Sequence, residues 1–489
     1  MMDFTIQEIA DACGGRLVVK GEGACGNACV SCVAVDSRLV ERGGVFLATV
    51  GQRTDGHKFV SAVFEKGAAL AVVCKSPEQV EAEYGVWALQ WGSYVLVEDT
   101  LQALKDIAEA YRKKLAVKVV GITGSVGKTS TKEFIAGVLA EKYNVLKTEG
   151  NFNNEIGVPL TLLRIRPEHE VAVVEMGISD FGEMHRLSKM ARPDICVITN
   201  IGQSHLNNLK DRDGILRAKS EIFDFMAQDG EIVLNGEDDK LLGLREKGVL
   251  PGGGRLQSAK LHYFGLGGSA GQEVFAAEIT GKGLWGSDVL LRAAEGSFSV
   301  HVPLPGEHMV LNCAAAACVA GLLGVSREQI VSGIGKVEPV GGRANIISLP
   351  CYTLIDDCYN ANPASMHAAL ELLALADTER IAILGDMLNL GENSHRYHEE
   401  IGMHAAELGI ERLLCVGEES RYLFQAVDKT SDPALLPKLF HFPDADSLIQ
   451  ALAVDPAKYL PKGSTILLKA SHDIGFARVL EFLKGSADA

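Results

Sequence analysis

The sequence predicts an α/β protein of three domains, on three observations. At 489 residues the chain exceeds what one hydrophobic core accommodates, and its 47% hydrophobic content is that of a globular protein. Residues 117–235, and again 343–489, alternate short β-branched runs with helically spaced segments, the pattern of parallel sheets covered by helices. Between the apolar run 117–122 and a helical segment lies a glycine-rich turn, Thr123-Gly124-Ser125-Val126-Gly127-Lys128-Thr129. That strand–turn–helix build is a phosphate-binding loop. We therefore expect a small α/β domain over 1–98, a central P-loop parallel-sheet domain over 99–337 and a Rossmann-like C-terminal domain over 338–489.

Each element follows from local patterning. In the first domain Phe4, Ile6 and Ile9 space a helix, 30–35 reads as a strand, 59–64 as a helix, and 70–73 and 94–97 as strands. Residues 101–115 place Leu101, Leu104, Ile107, Ala108, Tyr111 and Leu115 near spacings of three and four, an amphipathic helix leading into the phosphate loop. Central strands are expected over 117–122, 171–176, 195–201 and 231–234. The stretch 252–304 is dense in glycine, and 273–279, 288–293 and 298–302 read as antiparallel strands; a helical region over 306–335 closes the domain. In the last domain strands 353–356, 381–384, 412–416 and 465–469 alternate with a helix over 365–375 and a longer one ending near Leu408. Met366, Leu370 and Leu373 share a face of the first of these helices, and the alternation reads as doubly wound.

Composition narrows the function. A net charge of −16 excludes a nucleic-acid binder, which needs a basic face, but leaves room for an anionic ligand met by local basic residues. The first residues carry Asp3, Glu8 and Asp11 with no positive leader, and the longest apolar run, 309–325, is interrupted by Asn312. A soluble cytoplasmic protein without a membrane span is the expectation. The eleven cysteines, including Cys196, Cys313 and Cys415 in apolar contexts, suit reduced thiols. Cys25, Cys29 and Cys32 have a spacing that can hold an iron–sulfur cluster. They lie in a Gly/Ala/Val stretch that reads as a strand and its lead-in, so ordinary thiols are expected.

Gly124 and Gly127 let the loop backbone approach phosphate oxygens, Lys128 supplies a mobile charge and Thr129 a hydroxyl for Mg²⁺. The loop departs from the usual G-x-x-x-x-G-K-[ST] pattern: Ile122 occupies the first glycine position, and the nearest glycine is Gly121. A nucleoside triphosphate is the implied ligand, and the central unit an ATPase domain. Further polar residues gather at strand ends, where open α/β sheets bind ligands. Glu175 ends one strand and is a candidate for Mg²⁺ or water; His205 follows the next and is either a ligand or a structural imidazole. Lys219, within a helix, reads on its own as a surface lysine. Asn151, Asn153 and Asn154 either bind a polar ligand or cap the following helix. Asn312 caps or reads a base edge, and Arg343 follows Gly341-Gly342 at a hinge, free to swing toward a phosphate.

In this order the motifs resemble those of the Mur ligases, nearly end to end. The resemblance rests on Asp36-Ser37-Arg38 and Gly51-x-x-x-Asp55-Gly56-His57 in the first domain. In the second it rests on Gly127-Lys128-Thr129-Ser130-Thr131-Lys132, Gly-Asn-Phe-Asn-Asn-Glu-Ile-Gly-Val-Pro over 150–159, Glu175-Met176-Gly177, Asn200-Ile201-Gly202 and Gly306-x-His308-x-x-x-Asn312. In the third it rests on Asp-Asp-Cys-Tyr-Asn-Ala-Asn-Pro over 356–363 and Leu-Gly-Asp-Met-Leu-Asn-Leu-Gly over 384–391; these two, with the asparagine run, mark the dipeptide-adding branch. Where many members carry an arginine this chain has His472.

The resemblance implies an ATP-dependent carbon–nitrogen ligase of peptidoglycan precursor synthesis, joining D-alanyl-D-alanine to UDP-N-acetylmuramoyl-tripeptide through an acyl phosphate and acting as a monomer. It implies catalytic roles for Lys128, Glu175, His205, Lys219 and Arg343. Mg²⁺ would be held by Thr129, Glu175, His205 and Lys219, the last carbamylated by CO₂. ATP would contact Gly124 to Ser130, Asn312, Arg343 and Asp357. The UDP-sugar peptide would contact Asp36, Ser37, Arg38, Asn151, Asn153 and Asn154. Two other readings stay open: another ligase of the superfamily, tripeptide-forming or folylpolyglutamate-forming, and an inactive nucleotide-binding regulator.

Overall fold

A computed structural model describes all residues except 1, 21–25, 52–53, 86–90, 248–259, 269–270, 295, 430–436 and 488–489, and it leaves out the side chains of 246–247 and 486–487. Three sheets follow one another along the chain. The first contains β1 (Arg16–Val18), β2 (Val33–Ala34), β3 (Val45–Leu47), β4 (Leu70–Val73) and β5 (Tyr94–Leu96) in the order β1-β5-β4-β3-β2. Only β1 runs antiparallel to its neighbour.

The second sheet has nine strands: β6 (Lys118–Thr123), β7 (Val145–Lys147), β8 (Val171–Glu175), β9 (Ile195–Ile198), β10 (Glu231–Asn235), β11 (Leu261–Leu266), β12 (Val274–Gly281), β13 (Ser287–Ala293) and β14 (Gly296–Val302). Their order is β14-β13-β12-β11-β10-β9-β6-β8-β7. Residues 171–175 are buried on both faces, which is why β8 reads as an unbroken apolar run rather than an alternating one. Because β6 lies between β8 and β9, the strand order reverses at its C-terminal end. That end is the crevice where a doubly wound sheet places its ligand.

The three strands read over 273–279, 288–293 and 298–302 are β12, β13 and β14, each antiparallel to the next as expected. They continue the central sheet, because β12 also pairs in parallel with β11. The short strands β7 and β11 escape the sequence reading because three residues, or an apolar run beside a glycine tract, carry little periodicity. The helical region resolves into Glu307–Leu322 and Arg327–Gly335; Gly324 at φ 67° ends the first, and Ser326 with Gln329 forms a capping box for the second.

The third sheet contains β15 (Asn345–Ser348), β16 (Thr353–Asp356), β17 (Arg380–Gly385), β18 (Arg412–Val416), β19 (Lys438–Phe442) and β20 (Thr465–Lys469), ordered β15-β16-β20-β17-β18-β19. All neighbours are parallel except β15 and β16. Two apolar clusters tie the domains together. One joins a face of the central sheet and helix Glu307–Leu322 to Ile355, Leu370 and Leu384 of the last domain; the other joins the opposite face to Ile9 and Leu104.

Cys196, Cys313 and Cys415 are buried free thiols. Cys25 lies outside the described residues, and among the described residues no group of three or more His, Cys, Asp or Glu is placed to hold a metal ion.

Candidate active site

A cavity of about 760 Å³ opens between the central and C-terminal sheets and is lined from both. On the central side it meets Ser125 to Lys128, Asn153, Asn154, Glu175, His205 and Asn312; on the other side Arg343, Asp357, Tyr359, Asn360 and Lys469.

The phosphate loop leaves β6 and enters helix Lys128–Leu139. Gly124 takes φ 152°, and a Cβ there would come within 1.9 Å of Thr199 Oγ1; Gly127 takes φ 81° at the helix start. Both positions require glycine. Lys128 Nζ folds back on its own loop, donating to Gly124 O at 2.8 Å and Ser125 O at 3.4 Å. Burial pushes its pKa down, against the attraction of Glu175.

Thr129 Oγ1 donates to Glu175 Oε2 at 2.8 Å, and Asn153 Nδ2 donates to Oε1 at 2.8 Å. Lys132 Nζ stands 3.9 Å from the same carboxylate. Glu175 has no exposed surface, so these contacts hold a buried carboxylate at the mouth of the loop. A hydroxyl and a carboxylate are hard oxygen donors. Mg²⁺ takes one or two carboxylates plus substrate phosphates rather than a dedicated cage, so the pair fits that ion.

Beside them Lys219 is 1% exposed, and its ammonium has no hydrogen-bond or ion-pair partner among the described residues. Burial and then the charge of Lys128 hold its pKa well below the usual lysine value. His205 sits at φ 55° after β9; burial, Lys219 and Lys128 push its pKa down to about 4, which leaves a neutral imidazole.

Arg343 comes from the turn that joins the two domains. Gly342 N donates to Asp356 Oδ2 at 2.9 Å and Ala344 N to Asp357 Oδ1 at 3.1 Å. Lys469, 1% exposed at the end of β20, donates to Asp357 Oδ2 at 2.5 Å. A second, smaller cavity of about 280 Å³ adjoins, lined by Asn151, Tyr359, Asn360, Asn389, His472 and Asp473 among others.

Three family models cover the chain in succession: Mur ligase family, catalytic domain (residues 30–112), Mur ligase middle domain (122–320) and Mur ligase, glutamate ligase domain (342–472). The chain is 33% identical to the UDP-N-acetylmuramoyl-tripeptide–D-alanyl-D-alanine ligase of Bacillus subtilis over 92% of each sequence, and 31% identical to that of Escherichia coli over 99% of each. The chain belongs to the Mur ligase family. Among solved Mur ligases, MurF from Acinetobacter baumannii superposes with a TM-score of 0.83 at 31% identity over 99% of both chains. MurF from Thermotoga maritima, solved with ADP, gives 0.76 at 27% identity over 93% of this chain and 97% of that one.

Measured against a Mur ligase site, the expected residues divide. Lys128, Glu175, His205, Asn312, Arg343, Asp357, Asn153 and Asn154 line the main cavity, and Asn151 lines the smaller one. Asp36, Ser37 and Arg38 line neither. Asp36 and Arg38 instead pair with each other at 2.6 Å on the surface, where hydrogen bonding to Arg38 pulls the Asp36 pKa down to about 2. The asparagine run does both things its sequence allows: Asn154 Oδ1 accepts from Ile156 N and Gly157 N as a cap, while Asn153 reaches Glu175. Asn312 Oδ1 accepts from Thr131 Oγ1 at 2.9 Å.

Sequence reasoning gives no individual role to Lys105, Lys132, Tyr359, Asn360 or Lys469, although Lys132, Tyr359 and Asn360 lie in its motifs. Lys469 carries a signal, since it ends a strand whose other residues are all buried. Lys105, which pairs with Glu155 at 3.3 Å at the cavity edge, carries none.

Proposed function

We propose that this Mur ligase couples ATP hydrolysis to joining D-alanyl-D-alanine to UDP-N-acetylmuramoyl-tripeptide, as the names of its relatives describe, in cytoplasmic peptidoglycan precursor synthesis. The observation that carries the reading is the shared cavity. Cationic groups from two domains, Lys128 and Arg343, face one space beside a buried hydroxyl–carboxylate pair. That arrangement suits a polyphosphate whose γ-phosphoryl group is to be transferred. We take the domain limits as 1–98, 99–337 and 338–489, and the protein as a monomer. No helix among the described residues is long and apolar enough to cross a membrane.

The terminal carboxylate of the tripeptide attacks the γ-phosphorus, ADP leaves, and an acyl phosphate forms. The amine of the dipeptide then adds to the acyl carbon, and the tetrahedral adduct expels phosphate. Lys128 turns from its loop carbonyls to the β- and γ-phosphates, with the Gly124–Ser130 amides around them. Arg343 stabilises the charge that develops on the transferred group. Asn312 faces the adenine. Asp357 approaches the nucleotide with lone pairs left over from Ala344 and Lys469.

Thr129, Glu175, His205 and Lys219 would hold Mg²⁺, which when bound neutralises phosphate charge. The depressed Lys219 pKa favours the free amine, the form that adds CO₂, and a carbamate there would supply a hard oxygen facing the neutral His205. Asn151, Asn153 and Asn154, with Asp36, Ser37 and Arg38 brought in by the first domain, would hold the sugar peptide. Closure excludes the water that would hydrolyse the acyl phosphate.

Incubation with ATP, D-alanyl-D-alanine and UDP-tripeptides ending in lysine or in diaminopimelate, followed by mass spectrometry, tests the reading. A pentapeptide product with one of the two is expected; phosphate release without any coupled product would overturn it.

A further inference from the structure

Between the two cavities stands one ring. Tyr359 lines both, and the Arg343 guanidinium carbon lies 4.3 Å from its centroid. His472 also neighbours the ring, with centroids 6.1 Å apart and planes tilted by 51°. The backbone around this stack is held as well. Tyr359 N donates to Gly342 O at 3.0 Å, while Asp356 and Asp357 take the amides on either side of Arg343. Ala344 adopts φ 48°, a left-handed conformation that an alanine keeps only where the surroundings impose it.

We propose that Tyr359 is the positioning residue for Arg343, its ring face fixing the guanidinium at the phosphate end of the cavity, with His472 beside the ring. The physical case is one of freedom removed. An arginine on a glycine-flanked interdomain turn has many rotamers, and transition-state stabilisation needs one of them. The backbone clamps set where the side chain starts; they do not set where its planar head lies. Stacking on an aromatic face does, and it leaves the N–H edge free to donate to phosphate oxygens. The Tyr359 hydroxyl makes no hydrogen bond among the described residues, so the face of the ring and not its polar tip carries the role.

The proposal rests on the ligase reading and is tested by a double-mutant cycle in the full-length protein. Tyr359→Leu should lower kcat about 2–30-fold, equivalent to about 0.5–2 kcal/mol of stacking at about 1.4 kcal/mol per decade, with the KM values of UDP-tripeptide and dipeptide unchanged. Tyr359→Phe should stay within about twofold of the unmutated protein. In an Arg343→Ala background Tyr359→Leu should have no further effect. Should the leucine variant fail to fold, Tyr359→Met fills similar space without a ring face and repeats the cycle.

A loss that persists in full without Arg343, or a leucine variant as fast as the unmutated protein, would overturn the assignment. Absence of product from the unmutated protein would instead refute the ligase reading, so the two failures are distinguishable.

Discussion

His398 offers a stability test whose sign can be worked from its two ring nitrogens. The ring has no exposed surface; its Nε2 accepts from Met387 N at 3.0 Å, and its Nδ1 donates to Ser394 O at 2.8 Å. Only the neutral ring with its proton on Nδ1 satisfies both. His398→Ala leaves the Met387 amide without its acceptor, about 1–3 kcal/mol, and opens a ring-sized void that adds about 2 kcal/mol. We expect a loss of about 3–5 kcal/mol at pH 8.

Burial holds the folded pKa below the unfolded value of 6.5. As pH falls through 6.5 the unfolded chain binds this proton and the folded chain does not, so stability declines by up to about 1.4 kcal/mol per unit until the folded pKa is reached. The alanine variant has no such proton to bind. The gap between the two proteins should therefore be widest near pH 8 and narrow toward pH 5. Urea titrations read by pulse proteolysis, with fragments of the last domain identified by mass, measure that gap. A gap that stays constant from pH 8 to 5 would refute the neutral-ring assignment.

Lys128→Ala should cut ATP turnover by about 10²–10³-fold without unfolding the protein, because it removes transition-state charge and no core packing; near-normal phosphate release would sink the phosphate-loop role. Lys219→Ala should be inactive yet folded, since it deletes a buried amine with no hydrogen-bond or ion-pair partner among the described residues, and short carboxylic acids in the buffer should partly restore activity. Full activity of that variant would show that Lys219 supplies no metal ligand. The last domain should swing about residues 336–342 when an ATP analogue and UDP-tripeptide bind, shortening label distances between the Arg212–Ser220 helix and the Ser394–Glu407 helix; unchanged distances at saturation would mean a preformed site.

Much of the fold is legible in the sequence because long elements repeat their pattern. The helix expected over 101–115 is Thr100–Lys114, capped by Asp99, whose side chain accepts from Leu101 N and Gln102 N. The strands of the crevice are legible for a different reason: burial on both faces makes them continuous apolar runs bounded by turn residues. What escapes is short or marginal. β15, β19 and β7 lie at sheet edges or next to them, where fewer residues are buried and alternation fades. The antiparallel strands within 252–304 are legible from their alternation, but β11, which joins them to β10, is not.

The site divides along the same line between local and long-range information. Lys219 reads as a surface lysine when taken singly, but Ile215, Leu216 and Ala218 are buried on the same helix, and Lys219 stands four residues after Ile215 and three after Leu216. It falls on the apolar stripe, so its burial is legible from spacing alone. Its proximity to Lys128 and His205 is not, because β6 and β9 are brought side by side only by the strand order of the finished sheet.

Net charge misleads in the same way. A chain of −16 brings Lys128 and Arg343 to one cavity, and the carboxylates there are largely committed: Glu175 to Thr129 and Asn153, Asp357 to Lys469 and Ala344. What the cavity lacks is negative charge that is not already engaged. A nucleoside triphosphate supplies it, which is why an acidic protein can bind a polyanion without a basic surface.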